Sequence, residues 1–416
     1  MQTFPLQKKY HTLEYLRTIP HLRVRRPHSA LVLRLRSQIM ASLSTFFNDQ
    51  GFVQAHTPII TSSNCEGGGE VFSVASVQNT DPNEKSSTGQ TERKEHFFSS
   101  EKFLTVSSQL HLEALAQSVC KVWTLSPTFR AERSDTPRHL SEFYMLEAEI
   151  CFIDKLEPLM ELIEDMLSFL IENLQNSKVG KELLKAAFKP CEDDGNRPDM
   201  NSDVLNARWH GMREKNWPRI TFSEALRTLQ SAQAEGRTRF STTPTWVDGF
   251  SVEHERFLAL YIGNGKPIFV TEYPALLKPF YVPWSSYSSP IAPLSGPEYD
   301  TAAQSFDLLV PDVCELAGGS IREHDPEKLL MNMKSRGMLD DDEEVHISSD
   351  KLRNKRLDSR DSFNNPLSWY LDLRRYGSAP HGGFGIGFDR LIAYISGISN
   401  VKDVVTFPRW YGRCDC

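Results

Sequence analysis

The sequence predicts an α+β fold, a central antiparallel sheet flanked by helices, and three observations carry that expectation. Alternating apolar stretches such as KVWTLSPTFR (121–130), SFDLLVP (305–311) and GGFGIGF (382–388) read as strands. These stretches adjoin hairpin-like loops more often than they alternate with helices, which argues against regular βαβ units. Between them runs helical spacing, clearest over 155–175, where Leu159, Ile163, Met166, Leu167 and Leu170 share one side. No internal repeat is visible.

Residues 1–28 are basic, broken by Pro5, Pro20 and Pro27, and read as a linker or hinge. The first 36 residues hold eight Lys/Arg and one acidic residue, Glu14, a bias that fits an organelle transit segment and a phosphate-touching strap equally. From Ser29, Leu31, Leu35, Ile39, Leu43 and Phe46 recur at helical spacing, and Gly51 is a plausible stop. FVQAHTPII (52–60) alternates as a strand with a boundary at Pro58. Residues 76–96 are polar and nearly core-free, an expected surface insertion. FLTVSSQLHLEALAQSVC (103–120) reads as a strand turning into a helix. Residues 180–218 are mixed in pattern and expected to be peripheral; KPIFVTEYP (266–274) is a strand; 333–363, rich in alternating charge, reads as exposed helix and loop.

The chain has 416 residues, enough for one large domain or two ordinary ones, and 39% apolar residues, ample for a core. A net charge of −7 argues against a simple nucleic-acid binder, so an anionic partner needs local basic patches. Seven scattered cysteines, odd in number and without a CxxC pair, argue against a disulfide framework or zinc site and fit a reducing compartment. No apolar run approaches the ~20 residues of a membrane span, and no signal-peptide core follows Met1.

The densest chemistry lies in TFRAERSDTPRHLSEFYMLEAEI (128–150). Two strands can point alternate side chains into a cleft. Arg130, Glu132 and Glu147 are expected where the strands are rigid, and Arg138 and His139 on a loop that can close. Arginine suits phosphate because its planar fork pairs bidentately with phosphate oxygens. Phe143, at a strand entry, could stack on a base. By itself the run reads more readily as a solvated, charged hairpin. HGGFGIGFDRL (381–391) adds four glycines that allow close backbone approach, then Arg390, able to lie over an aromatic base or on a terminal phosphate.

GFVQAHTP, FRAERSDTPRHLSEF and GFGIGFDRL resemble, in order, the three signature motifs of class II aminoacyl-tRNA synthetases. EYLRTIPHLRVRR, NCEGGGEVF, LTVSSQLHLE, FDLLVPDVCELAGGSIRE and WYLDLRRYGSAPHGGFG make the resemblance closer to asparagine–tRNA ligases, from about residue 6 to the end. The resemblance implies a class II catalytic fold over 29–416. It implies that Arg130 holds the ATP α-phosphate and the substrate carboxylate, and that Glu132 accepts from the adenine amino group. His139 and Arg138 would reach the outer phosphates, Phe143 would stack on adenine, and Arg390 would complete the sandwich and hold the γ-phosphate. Asp307 and Glu315 are the implied Mg²⁺ ligands, hard oxygen donors of the kind Mg²⁺ prefers beside phosphates; two acidic residues in such a stretch are also ordinary surface chemistry.

For the amino acid, the resemblance places Glu66 on the α-ammonium, Gln109 on the pocket wall, Arg322 on the side-chain carbonyl oxygen and Glu147 on the side-chain amide nitrogen. Aspartate enzymes of this class carry an SPQLFKQ-type segment whose lysine faces the aspartate carboxylate; the matching position here is Leu112. At ~4 Å and an effective dielectric of ~20, Glu147 would repel an aspartate carboxylate by about 4 kcal/mol. Glu147 could instead be a structural partner of a nearby arginine. The expected activity is ATP-dependent activation of L-asparagine and transfer to tRNA(Asn), by a homodimer whose interface includes the first-motif helix and strand.

Relatives of this kind usually carry an N-terminal anticodon-binding OB-fold, and this chain reads as starting near the linker that follows it. Cys314 stands where glycine is usual. Two other readings remain: an asparagine synthetase-like paralogue that amidates aspartate, and a non-catalytic synthetase-like binding protein. The wording of the second motif, the polar insertion and the basic start suggest the mitochondrial matrix, with the cytoplasm as the alternative.

Overall fold

The computed structural model describes residues 4–7, 9–62, 71–76, 96–188, 202–286, 301–339 and 366–416. Glu66, nearly all of the 76–96 insertion and 340–365 lie outside them. The centre is an eight-stranded sheet, in spatial order Val53–Gln54, Lys121–Phe129, Glu142–Cys151, His381–Gly387, Cys314–Ile321, Ser305–Val310, Ile268–Thr271 and Arg219–Thr221. Its inner pairings are antiparallel, as the hairpin-like spacing predicts. Both outermost strands pair in parallel, Val53 with Val122 and Ile220 with Val270, so the sheet is mixed at its edges.

Helix Pro27–Asp49 begins on a proline at its first position, where a missing N–H costs nothing. It is followed by Gly51 at φ +76°. Its buried face carries Leu35, Ile39, Leu43 and Phe47. Phe47 stacks on Trp123 of the sheet with centroids 4.6 Å apart. Helix Glu157–Asn176 buries Leu159, Ile163, Met166, Leu167 and Leu170, the stripe read from its spacing, in the same core. Each such side chain stabilises by roughly 1.5–3 kcal/mol.

Two stretches are more ordered or more central than their composition suggests. Residues 13–17 and 20–23, within the expected linker, form short helices. Arg17 Nε and Nη2 donate to Asp403 at 3.0 and 2.6 Å, and Arg23 Nη2 donates to the Lys402 carbonyl at 2.8 Å. Local prolines hide this because the partners lie near the other end of the chain. In the segment expected to be peripheral, helix Ser202–Arg213 sends Leu205, Trp209 and Met212 fully into the main core. The Trp209 indole donates to the Ile395 carbonyl at 2.9 Å. Cys314 has φ +65°, a left-handed conformation that favours glycine.

Candidate active site

Two chambers open side by side against the central strands and share Arg130, Met145, Glu315 and Gly385 in their walls. The pleat produces the arrangement. Met145, Glu147 and Glu149 alternate on one face of strand Glu142–Cys151. In the neighbouring strand Gly385 lies opposite Glu147 and Gly383 opposite Glu149. A β-carbon on Gly383 would sit 2.0 Å from a Glu149 carboxylate oxygen, so glycine there is what lets Glu149 lie across the sheet.

The first chamber is lined by Gln109, Leu112, Glu147, Glu149, Lys278, Asp307 and Arg322, among others. Glu147 is buried, and its carboxylate accepts from the Ser107 hydroxyl and from the Ser108 backbone N–H at 2.9 and 3.1 Å. Arg322 is also buried. Its Nε and Nη2 donate to the two oxygens of Glu149 at 3.1 and 3.0 Å, and Nη1 donates to the Ser320 hydroxyl at 2.6 Å. Glu147 is therefore fixed by serines and Arg322 by Glu149.

Behind this wall is an ionic network. Glu113, fully buried, accepts from Arg374 Nη2 and the Tyr370 hydroxyl, both at 2.7 Å, and lies 3.0 Å from His381 Nε2. Gln109 Nε2 donates to its other oxygen at 3.0 Å. Burial alone would raise the Glu113 pKa, but Arg374, His381 and Arg322 hold it well below the ordinary value of 4.5. Glu113, Glu149 and His381 are close enough to suggest a metal cluster, yet Arg322 and Arg374 already saturate them with positive charge.

The second chamber is walled by Arg130, Glu132, Arg138, His139, Phe143, Glu315 and Arg390. Arg130 and Glu132 lie just beyond the strand that ends at Phe129, not within it. The Arg130 backbone N–H donates to the Ser141 carbonyl at 3.0 Å, which fixes the base of the connection instead. The Arg130 guanidinium lies 5.8 Å from the centre of the Phe143 ring. Arg390 Nη1 donates to the Glu315 carbonyl at 3.0 Å. His139 Nδ1 meets the Thr136 hydroxyl at 2.6 Å. Burial lowers the His139 pKa; Glu132 opposes this, and Arg390, Arg138 and Arg130 reinforce it. Three guanidiniums, of Arg130, Arg138 and Arg390, line the chamber around this imidazole.

Asp307 and Glu315 come from adjacent antiparallel strands and converge at Gly318, whose β-carbon position lies 3.2 Å from an Asp307 oxygen and 3.7 Å from a Glu315 oxygen. Hard carboxylate oxygens at the junction of the chambers fit a divalent cation. Lys278 Nζ donates to both Asp307 oxygens, at 2.7 and 2.8 Å, so this carboxylate already faces a cation. Desolvation would raise the Glu315 pKa, but Arg390, Lys278, Arg130 and Arg138 hold it below its ordinary value.

Eleven of the twelve residues named from the sequence thus line the two chambers: Gln109, Glu147 and Arg322 the first, Glu132, Arg138, His139, Phe143 and Arg390 the second, Asp307 the first, and Arg130 and Glu315 both. Glu66 lies outside the described residues. Sequence reasoning missed Glu113, Glu149, Lys278, Arg374 and His381. It also missed Glu255, whose carboxylate lies 3.8 Å from Arg138 and is raised to about 7 by burial, with Glu315 adding and Arg138 opposing. Glu113, Arg374 and His381 stand inside SSQLHLE and LDLRRYGSAPHGGFG, so their stretches were visible and their mutual pairing was not.

The sequence profile of tRNA synthetases class II (D, K and N) matches residues 12–411. The mitochondrial asparagine–tRNA ligase of Saccharomyces cerevisiae is 38% identical over 98% of this chain and 74% of its own length. The asparagine–tRNA ligase of Desulfotalea psychrophila is 36% identical over 100% of this chain and 77% of its own. The asparaginyl-tRNA synthetase of Pyrococcus horikoshii, solved with asparaginyl-adenylate, superposes with a TM-score of 0.71 at 27% identity, over 97% of this chain and 74% of that one. The family profile and these relatives show that the chain belongs to the class II aminoacyl-tRNA synthetases of the D, K and N group, in its asparagine–tRNA ligase branch.

Proposed function

We propose that the protein activates L-asparagine with ATP and transfers it to tRNA(Asn). The observation that carries this reading is the first chamber, where a serine-held carboxylate, Glu147, and a carboxylate-held guanidinium, Arg322, face one cavity. An amide offers a donor to Glu147 and an acceptor to Arg322. Aspartate would meet Glu147 as a like charge and an Arg322 already neutralised by Glu149. Leu112 lies in the wall where aspartate enzymes of this class carry lysine, and the charge of Lys278 is matched by Asp307.

In the mechanism, Arg130 at the junction of the chambers holds the asparagine carboxylate and the ATP α-phosphate together. A carboxylate oxygen attacks the α-phosphorus and pyrophosphate leaves, giving the adenylate. No protein nucleophile is needed; alignment of two anions and stabilisation of developing charge are the enzyme's task. Phe143 and Arg390 take the two faces of adenine, Glu132 accepts from its amino group, and Arg138, His139 and Arg390 hold the outer phosphates. Gln109 keeps the amino-acid wall in register through Glu113, and Glu66 takes the α-ammonium. Asp307 and Glu315 would hold Mg²⁺, which would supply charge neutralisation at the phosphates. The terminal hydroxyl of tRNA then attacks the adenylate carbonyl; the ester bond forms as the mixed-anhydride bond to AMP breaks, and AMP and the hydroxyl proton leave.

We read the active form as a homodimer: Leu33 and Met40, seven residues apart on helix Pro27–Asp49, are exposed, as are Val53, Ile59 and Ile60 just beyond it. The mitochondrial matrix is the proposed compartment, on the strength of the mitochondrial ligases of S. cerevisiae and Schizosaccharomyces pombe, each 38% identical. Charging of tRNA(Asn) with labelled asparagine by the full chain tests the function; charging absent with asparagine, or amidation of aspartate by ammonia and ATP, would replace it with the synthetase-paralogue reading.

A further inference from the structure

Beyond the nucleotide chamber lies a third cavity of about 580 Å³. It shares Arg138, His139, Arg390 and Val401 with the nucleotide chamber and no wall residue with the amino-acid chamber. The three cavities therefore run in series, with the nucleotide chamber in the middle. Two further arginines line the third, Arg208 and Arg256, against one carboxylate, Asp312, which is bonded to Arg208. Arg138 Nε is buried without a hydrogen-bond partner among the described residues. Asp312 is the one acid among the wall residues; Glu255 lies 3.8 Å from Arg138 and Glu315 3.7 Å from Arg390, which leaves Arg256 as the wall guanidinium with no carboxylate partner among the described residues, in walls otherwise built from Val252, Val313, Ala393 and Ile398. A buried guanidinium donor with no partner calls for an anion with several acceptor oxygens.

We propose that this cavity is a second polyphosphate site, which receives pyrophosphate as it leaves the nucleotide chamber. The inference rests on the activation reading above. There, a bond forms between the asparagine carboxylate oxygen and the α-phosphorus. The bond from the α-phosphorus to the bridging oxygen breaks, and its electron pair leaves with pyrophosphate. The outer phosphates lie at the Arg138 and Arg390 end, the end that opens into the third cavity. Pyrophosphate moves from one face of these arginines to the other and exchanges one set of donors for another that adds Arg256. Arg256 is exposed on helix Val252–Tyr261 and lines only the third cavity, so it separates this site from the nucleotide site.

The test uses the full chain loaded with a non-hydrolysable sulfamoyl analogue of asparaginyl-adenylate and titrated calorimetrically with pyrophosphate in the presence of magnesium. Arg256→Glu is expected to weaken pyrophosphate binding on the order of 10-fold or more, Arg256→Lys to retain it within about threefold, and both to leave the KM values for ATP and asparagine within about twofold. Unchanged pyrophosphate affinity in Arg256→Glu, or an equal loss for ATP, overturns the proposal. Failure of the analogue to bind would instead count against asparagine activation; pyrophosphate titration of the unloaded wild-type and Arg256→Glu proteins then decides the cavity by the same criterion.

Discussion

Glu149 grips Arg322 through two parallel hydrogen bonds, 3.1 and 3.0 Å long, with both side chains almost wholly buried. The pair ties together two strands that are not neighbours, joining Glu142–Cys151 to the residue just past strand Cys314–Ile321, across strand His381–Gly387 between them. It leaves Nη1 of the guanidinium directed by Ser320. Removing the carboxylate charge breaks the bidentate pairing and leaves the buried guanidinium with Glu113, 3.8 Å from Nε, as its remaining carboxylate. Glu149→Gln should destabilise the fold by about 3–5 kcal/mol and raise the asparagine KM more than it lowers kcat. Chemical unfolding and asparagine-dependent pyrophosphate exchange measure the two effects; an unaltered asparagine KM would dissociate the pair from substrate binding.

Glu113 makes a pH-dependent contribution whose sign is fixed by its environment. Its folded pKa is depressed by Arg374, His381 and Arg322, against burial. A depressed carboxylate binds fewer protons in the folded than in the unfolded state. Its stabilisation is therefore complete above 4.5, the ordinary value, and is lost as pH falls below it. Urea unfolding of wild type and Glu113→Gln should give a stability gap of about 3–5 kcal/mol at neutral pH that narrows on acidification. A gap that widens in acid would contradict the assignment.

Arg130 and Arg390 act where charge develops at phosphorus. Alanine at either position should lower the rate of adenylate formation by roughly 10²–10³, measured by single-turnover or exchange kinetics. Arg130→Ala should affect both substrates because Arg130 lines both chambers, whereas Arg390→Ala should affect ATP alone. Equal effects on asparagine and ATP in both variants would remove that distinction.

The described cysteines divide by exposure. Cys120, Cys414 and Cys416 are exposed and Cys151 and Cys314 buried. Burial, with Glu149 and Cys120 adding, pushes the Cys151 thiol up to about 12. At pH 7 to 8 a maleimide should label the exposed set in the native protein and reach Cys151 and Cys314 only after denaturant is added. Mass spectrometry of the labelled peptides reads this directly, and native labelling of Cys151 would show that its strand end is open.

Much of this architecture was legible because it repeats locally. The stripe of Leu159, Ile163, Met166, Leu167 and Leu170 and the alternating stretch KVWTLSPTFR, a strand over Lys121–Phe129, are periods that need no partner to be seen. What was hidden is long-range. Glu113 meets Arg374 and His381 across separations of 261 and 268 residues. Arg17 meets Asp403 across 386, so a stretch with the composition of a linker becomes a pair of anchored helices. Trp209 sits among polar neighbours in the sequence, and only the packing of its helix against Ile395 shows it to be core. The chamber residues were named through motif resemblance; the residues that hold them in place were not, since a charge behind a charge leaves no periodic signal.

The central claim is that the first chamber takes a neutral amide. ATP–pyrophosphate exchange by the wild-type chain, supplied in turn with L-asparagine and L-aspartate, tests it most directly. The account predicts exchange with asparagine and a preference over aspartate approaching a thousandfold, from about 4 kcal/mol of repulsion at Glu147, with Glu147→Gln reducing that preference. Comparable exchange with both amino acids, or faster exchange with aspartate, would contradict it.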